Sequence, residues 1–250
     1  MVEPRSSDFG PSRYGDSFAD VYDEWYDDVS NAEATTEFVN GFGEGQRILE
    51  LGVGTGRLST PLAEAGHAVF GVDASLLMLD RFRHVELPST SLPVGADMSV
   101  LPFAGEVFDT VLVATNTLSN LTGPGDHERC FAESRRTLRL GGRMMVEAMV
   151  PGPPDASLDR LVTTKSIDVA SAVLTATVRD ASLQEITGQH IQISAGGIRM
   201  RPWKVRYLTT GQLDELATAA GFRLGDRFAD WDRSSFTADD ANAISVYVAV

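Results

Sequence analysis

Residues 48–75 read ILELGVGTGRLSTPLAEAGHAVFGVDAS, and their order decides the fold. The apolar run ILEL predicts a buried strand. Gly52, Gly54 and Gly56 follow at once, then a helical stretch to about Ala65, where Gly66 stops it. HAVFGVD predicts a second strand that ends on Asp73. Strand, glycine loop, helix, strand is a parallel βαβ unit. Glycines in such a loop reach positive φ and let a ligand approach the main chain, while the next helix offers free N–H groups. The spacing narrows the ligand. A dinucleotide fingerprint needs glycines at i, i+2 and i+5. Here i+5 is Arg57 and the third glycine stands at i+4. The phosphate loop of nucleotide hydrolases needs Gly-Lys-Ser/Thr, which is absent. The loop therefore suits a closely packed nucleoside without a cradled pyrophosphate. Asp73, at the neighbouring strand end, can accept both hydroxyls of a ribose; the alternative is a cap on the helix that starts after Ser75.

Reading on towards the C-terminus, LPVGAD predicts a short third strand, and Asp97-Met98 follow it. EVFDTVLVATN predicts a buried central strand. Asp126 to Leu138 has helical pattern, Gly141-Gly142 is expected to close that helix, and RMMVEAMV is another strand. After Pro151 the rhythm changes. Residues 162–170, 173–180, 184–193 and 198–208 predict antiparallel strands. A helix returns at TTGQLDELATAAG, and strands near 222–230 and 243–250 end the chain. Towards the N-terminus, Asn31 is expected to cap a helix that runs to about Asn40. Before it, Phe18, Tyr22, Trp25 and Tyr26 fall at helical spacing and share one face, with acids on the other. The expected architecture is α/β, a doubly wound, mainly parallel Rossmann-like sheet with an antiparallel β insertion before the last helix. Its parts are an N-terminal lid (1–40), a core (41–150), the insertion (151–208) and a closing helix with two strands (209–250).

Composition bounds the function. Across 250 residues the net charge is −14 and apolar residues make up 43%. That is enough to bury a core. The acidity argues against gripping nucleic acid or an anionic membrane surface. Residues 1–30 alone hold eight acids against Arg5 and Arg13. The single cysteine, Cys130, reads as a small buried residue, and the four histidines are scattered, so no metal site is expected. No apolar run is long enough to span a membrane, the first ten residues have no apolar signal core, and a cytoplasmic location is expected.

Three nucleoside contacts in series (the glycine loop, Asp73, and Asp97 with Met98) resemble the class I S-adenosylmethionine-dependent methyltransferases. ILELGVGTGRLSTPLAEAGHAVFGVDAS is similar to that family's glycine motif and ribose acid. GADMSVLPFAGEVFDTVLVATNTLSNL is similar to its adenine loop and central strand, and LRLGGRMMVEAMV to its fifth strand. The resemblance implies a seven-stranded sheet. It implies that Gly52, Gly54 and Gly56 line the methionine part of S-adenosylmethionine, with Glu50 and Arg57 beside that loop. Asp73 would hold the ribose, and Asp97 and Met98 the adenine, flanked by Ala74 and Met78. Ala114, Thr115 and Asn116 would end the central strand beside the sulfonium, and S-adenosylhomocysteine would be the product. FADVYDEWY resembles the lid of small-molecule members, particularly aminosugar N-methyltransferases. This assigns Tyr14 and Tyr22 catalytic roles, Tyr26 to the cofactor and Trp25 to the acceptor; Asn120, His127 in the TGPGDHE loop after the central strand, and Glu147 on the fifth strand are also expected at the acceptor. Where those enzymes continue with a Gly-Lys-Asp type sequence, this chain has Asp27-Asp28-Val29-Ser30.

The expected reaction is methyl transfer to a small-molecule acceptor, with an amine nitrogen ahead of an oxygen. A non-methylating reaction on the same fold stays open, and a nicotinamide oxidoreductase is disfavoured by the missing i+5 glycine. Arg199, Arg201, Lys204 and Arg206 give the insertion a basic edge, expected to be a solvated strand face or a subunit surface. The insertion itself reads as the acceptor-side cover or an oligomer contact, so a homo-oligomer through it is expected.

Overall fold

The computed structural model describes residues 9–26, 31–83, 91–152 and 159–250. The Asp27-Asp28-Val29-Ser30 departure, the acids before Phe9, and the His84-Val85 end of the helix expected after Ser75 lie outside them. In chain order the elements are α1 (Arg13–Phe18), α2 (Tyr22–Tyr26), α3 (Ala32–Asn40), β1 (Arg47–Leu51), α4 (Ser59–Glu64), β2 (Ala68–Asp73), α5 (Leu76–Phe82), β3 (Ser91–Gly95) and β4 (Phe108–Val113). A 3-10 turn (Thr117–Asn120) follows, then α6 (Asp126–Thr137), β5 (Leu138–Met149), β6 (Arg160–Ile167), β7 (Ser171–Asp180), β8 (Glu185–Ser194), β9 (Gly197–Arg206), α7 (Thr210–Ala219), β10 (Phe222–Phe228) and β11 (Asn242–Ala249).

The first sheet has seven strands in the order β10-β11-β5-β4-β1-β2-β3. Pairing is parallel from β5 to β3 and antiparallel at β5-β11-β10. The second sheet is the antiparallel meander β6-β7-β8-β9, inserted between β5 and α7. The strands of the first sheet are apolar on both faces because helices cover both. Leu49, Leu51, Val111 and Val113 pack with Phe131, Leu213 and Tyr247 on one side. Ile48, Leu112, Met145 and Val246 pack with Phe38, Leu62 and Trp231 on the other. Each such side chain, once buried, contributes roughly 1.5–3 kcal/mol. Cys130 is fully buried in the first of these layers, and its thiol is pushed up to about 12.

Local sequence explains the helix starts. Asn31 accepts from Ala34 N, Ser75 from Met78 N, and Thr209 forms a capping box with Gln212. Two expectations fail locally. Gly141 and Gly142 do not close a helix: α6 ends at Thr137, and both glycines lie inside the twelve-residue β5. The pair supplies an irregularity instead, because the β4–β5 register jumps from Phe108↔Leu138 to Thr110↔Arg143.

The lid is also not one continuous helix. It breaks after Phe18 and restarts at Tyr22. Arg201 explains the break. It reaches out of β9 to donate to the Ser17 carbonyl and to both carboxylate oxygens of Asp20, at 2.7 and 2.9 Å. With Ser17 engaged, Val21 N donates to Phe18 O in a tighter turn. Most of the basic edge of β9 is engaged within the chain, although Arg199 stays largely exposed. Arg199 and Arg201 clasp Asp20, and Lys204 pairs with Glu185 within the second sheet.

Candidate active site

A cavity of about 270 Å³ opens at the carboxyl ends of β1, β2 and β4, under the lid. The topology places it there, because the strand order reverses between β1 and β4. Its floor is the glycine loop. Gly52, Gly54 and Gly56 have φ of +68°, +56° and +87°. Their reasons differ. A Cβ on Gly52 would stand 2.2 Å from Thr117 Cγ2, and one on Gly56 1.9 Å from the Phe82 ring, so both are demanded by packing. Gly54 has only Tyr22 near, at 3.9 Å, and presents bare backbone to the cavity.

Asp73 stands beside this floor. It accepts Gly54 N at 2.9 Å and Ser75 N at 2.8 Å. Two of its roughly four lone-pair directions are thus spent, and the side chain lines the cavity with the others left over. Burial raises its pKa, against the pull of the two amides. The expected cap and the expected ligand contact are both compatible with this one side chain; the helix cap itself is Ser75. Across the cavity Asp97 accepts Ser99 N at 2.8 Å and lines the wall with Met98, Ala74 and Met78.

The far wall is the end of β4. Thr115 and Asn116 are consecutive residues in the left-handed region, with φ of +55° and +57°. Such a pair persists only when its surroundings hold it. Glu147 accepts Thr115 N at 2.6 Å and Trp231 Nε1 at 3.3 Å, while Asn116 Oδ1 accepts Met149 N. Glu147 therefore faces the buried side of β5 and buttresses the turn, and it does not enter the crevice. Burial raises its pKa.

The roof is aromatic. Tyr14, Tyr22 and Tyr26 all line the cavity, with Gly15, Pro11 and Val205 beside them. Burial raises all three phenols, Tyr14 most strongly, so they stay protonated at neutral pH. Polar ties hold the roof down. Thr55 donates to Asp23 at 2.6 Å, Ser75 Oγ to Asp16 at 2.7 Å, and Arg57 to the Tyr26 carbonyl. Gly15 lets α1 touch Ser75, where a Cβ would meet the Ser75 side chain at 2.5 Å. A smaller recess continues outward past Tyr14 and Asn120 to Phe9, Arg13, Trp203 and Lys204. Asn120 Oδ1 is buried there without a partner.

Six other candidates lie off the cavity wall. Glu50 is buried behind the loop, where Ser59 donates to it, and burial pushes it up to about 7. Arg57 lies over the Tyr22 ring, 5.6 Å from its centre, and stiffens the roof. Gly56 packs on Phe82, and Ala114 belongs to the core. Trp25 is core too, between Phe18, His190 and the Arg201 guanidinium 5.3 Å from its ring. His127 is buried with Nε2 on the Leu118 carbonyl, because its position on α6 turns it inward. Thr117, Leu121, Ala96 and Val205 also line the cavity; the first three fall inside the GADMSVLPFAGEVFDTVLVATNTLSNL stretch, and nothing in the local sequence marks Val205. His190 reaches the roof from β8, and nothing in its local sequence marks it.

The model of the methyltransferase domain matches residues 48–142. In sequence, residues of this chain are 36% identical over 106 positions to the demethylmenaquinone methyltransferase of Mycobacterium sp. (strain KMS), covering 42% of this chain and 43% of that protein. The chain thus spans less than half the length of the curated relatives of this kind. In structure it is similar to the CcbJ methyltransferase of Streptomyces caelestis, with a TM-score of 0.89 and 32% identity over 97% of this chain and 100% of that one. It shares a fold with S-adenosylmethionine-bound CalS10, an amino pentose methyltransferase from Micromonospora echinaspora, at a TM-score of 0.68, 19% identity, and 90% and 92% coverage. A bare glycine floor, an acid with lone pairs left over at the second strand end, and a second acid with an apolar flank fit an adenosyl group with a short polar tail. With that fit and the full-length likeness, the chain belongs to the S-adenosylmethionine-dependent methyltransferase family.

Proposed function

We propose that the protein methylates the nitrogen of a small-molecule amine. One observation carries the choice of nitrogen over oxygen: among the described residues, the cavity is lined by three protonated phenols, by Asp73 and Asp97, which already accept from backbone amides, and by no histidine, lysine or cysteine. A hydroxyl acceptor needs a base to strip its proton before attack. An amine carries its own lone pair and asks chiefly for alignment, which can supply roughly 7–11 kcal/mol of a barrier. When bound, S-adenosylmethionine supplies an electrophilic methyl on a sulfonium.

The chain's own residues do the rest. Gly54 and the loop backbone seat the amino-acid tail, Asp73 the ribose hydroxyls, and Asp97 with the Met98 amide the adenine. Thr115 and Asn116, locked by Glu147, keep the wall rigid. Tyr14 and Tyr22 exclude water and offer oxygen atoms to the amine. The unpartnered Asn120 Oδ1 offers an acceptor for a second N–H or O–H of the substrate. The amino pentose named for CalS10 supports the same class of acceptor. The proposal extends to a homo-oligomer through the second sheet. Its outward face carries Ile198 and Met200, which are 70% and 59% exposed, beside Ile193 and Ile167.

Calorimetry with S-adenosylmethionine, followed by a radiolabelled-methyl screen over amines, phenols and carboxylates, tests the reading. Micromolar cofactor affinity, lowered about 100-fold in Asp73→Ala by loss of charged hydrogen bonds, is expected. Label appearing on phenols and not on amines sinks the nitrogen assignment.

A further inference from the structure

Among the described residues, His190 is the one buried histidine that touches the roof of the site. The register of the second sheet sets Thr175, His190 and Arg201 in one row facing the lid. From this row a chain of hydrogen bonds runs to the cavity. Thr175 Oγ1 is 2.8 Å from His190 Nδ1, His190 Nε2 is 3.2 Å from the Tyr26 hydroxyl, and that hydroxyl is 3.4 Å from the hydroxyl of Tyr14.

Packing alone does not call for a histidine here. The ring sits among Phe18, Trp25 and Trp203, with centroids 5.3, 5.7 and 6.0 Å away, a site that phenylalanine would fill. What histidine adds is two polar atoms of opposite kind. Burial, helped by the charges of Lys165 and Arg201, lowers its pKa to about 4, so the ring is neutral. A neutral imidazole has one donor and one acceptor nitrogen, and there are two directions in which every bond of the chain runs the same way. In one, Nδ1–H donates to Thr175, Nε2 accepts from Tyr26, Tyr26 accepts from Tyr14, and the Tyr14 lone pairs face the cavity. In the other every bond reverses and Tyr14 points its O–H inward. A cavity that takes a sulfonium and an amine favours the first, because cations seek lone pairs.

We propose that His190 is a positioning residue that sets this direction, turning the Tyr14 oxygen towards the cavity as an acceptor for the N–H of the amine. The proposal rests on methyl transfer to an amine. It adds a residue of the second sheet to the selection between an amine and a group without N–H. Tyr14 touches the acceptor, and His190 acts only through Tyr26 and Tyr14.

The test needs no knowledge of the acceptor. Sinefungin carries a primary ammonium in place of the methylsulfonium, whereas S-adenosylhomocysteine has nothing there. The ratio of their affinities, read by calorimetry, reports how well the wall accepts an ammonium. In His190→Phe the affinity for S-adenosylhomocysteine is expected within about threefold of the parent, and that for sinefungin about tenfold weaker, the loss of one hydrogen bond to a charge. His190→Gln, whose Oε1 can take the Tyr26 proton, restores most of the ratio. Tyr14→Phe shows the same loss, and adding His190→Phe to it costs nothing more. Thr175→Val, nearly isosteric, loses part of the ratio and serves if the phenylalanine variant does not fold. A ratio unchanged in His190→Phe and in Thr175→Val, or both ligands weakened equally, overturns the proposal and leaves methyl transfer standing. If the parent binds neither ligand, the cofactor reading fails and the proposal with it.

Discussion

The two sheets are built on opposite terms. The first is apolar on both faces, and its ligand-facing residues cluster within a few positions of strand ends: Gly52 and Gly54 after β1, Asp73 at the end of β2, Thr115 after β4. The second has one face against the lid and one face open. It works through pairs far apart in the chain, such as Tyr26 with His190 and Asp20 with Arg201. The floor of the cavity is therefore written as short motifs, and its roof is held by long-range contacts. A motif residue fails because its own backbone or ligand atom is lost. A long-range residue fails because its partner is left behind.

Four changes would break or sharpen that contrast. The largest effect is expected for Gly56→Ala, which combines a φ of +87° with a Cβ placed on the Phe82 ring. Strain and overpacking together should cost about 4 kcal/mol, read by urea unfolding. A loss under ~1 kcal/mol would mean that α5 can move away, and that the glycine is there for the ligand. Next, Asp20→Ala leaves Arg201, whose side chain is 2% exposed, without its carboxylate. A loss of about 3 kcal/mol is expected, with early proteolysis in the lid and little change on β1 to β4. Uniform destabilisation would show that the lid and the first sheet unfold together.

Glu50→Gln comes third and separates fold from ligand within the motif itself. Glu50 is raised in the fold to about 7, mainly by burial, so its favourable contribution is complete below the unfolded value near 4.5 and is lost as pH rises through 7. The variant lacks that loss. Its Tm relative to the parent should rise between pH 5 and pH 8, and a flat difference would refute the burial argument. The smallest effect is on association: Met200→Glu should shift sedimentation towards monomer with no change in Tm. A parent that is already monomeric ends the oligomer proposal.

These contrasts also explain what could be read from residues alone. The glycine loop, Asp73 and the alternation after Pro151 depend on neighbours within a few positions, so fold class and cofactor floor were legible. Glu147 and His127 were placed wrongly because residue type does not say which side of a strand or helix a group occupies. In both cases burial against a backbone partner decided it. Spacing alone predicts one helix for the lid, because it cannot register an arginine on β9, some 180 positions later, that takes the Ser17 carbonyl. His190 was invisible for the same reason. Its meaning lies in Tyr26 and Thr175, and neither is near it in the chain.

The turn at Thr115 and Asn116 has one further consequence. It is clamped from behind by Glu147 and by the amide of Met149, the last residues of β5. The chain leaves for the second sheet just beyond that clamp and returns at Thr209, the cap of α7. In engineering terms the insertion is a cassette with fixed sockets. A different cover spliced between Gly152 and Thr209 is expected to leave the Thr115–Asn116 wall in place, because Glu147 and Met149 lie outside the splice. It must carry its own histidine for Tyr26 and its own arginine for Asp20, or the lid of the host keeps only its ties to Thr55, Ser75 and Arg57.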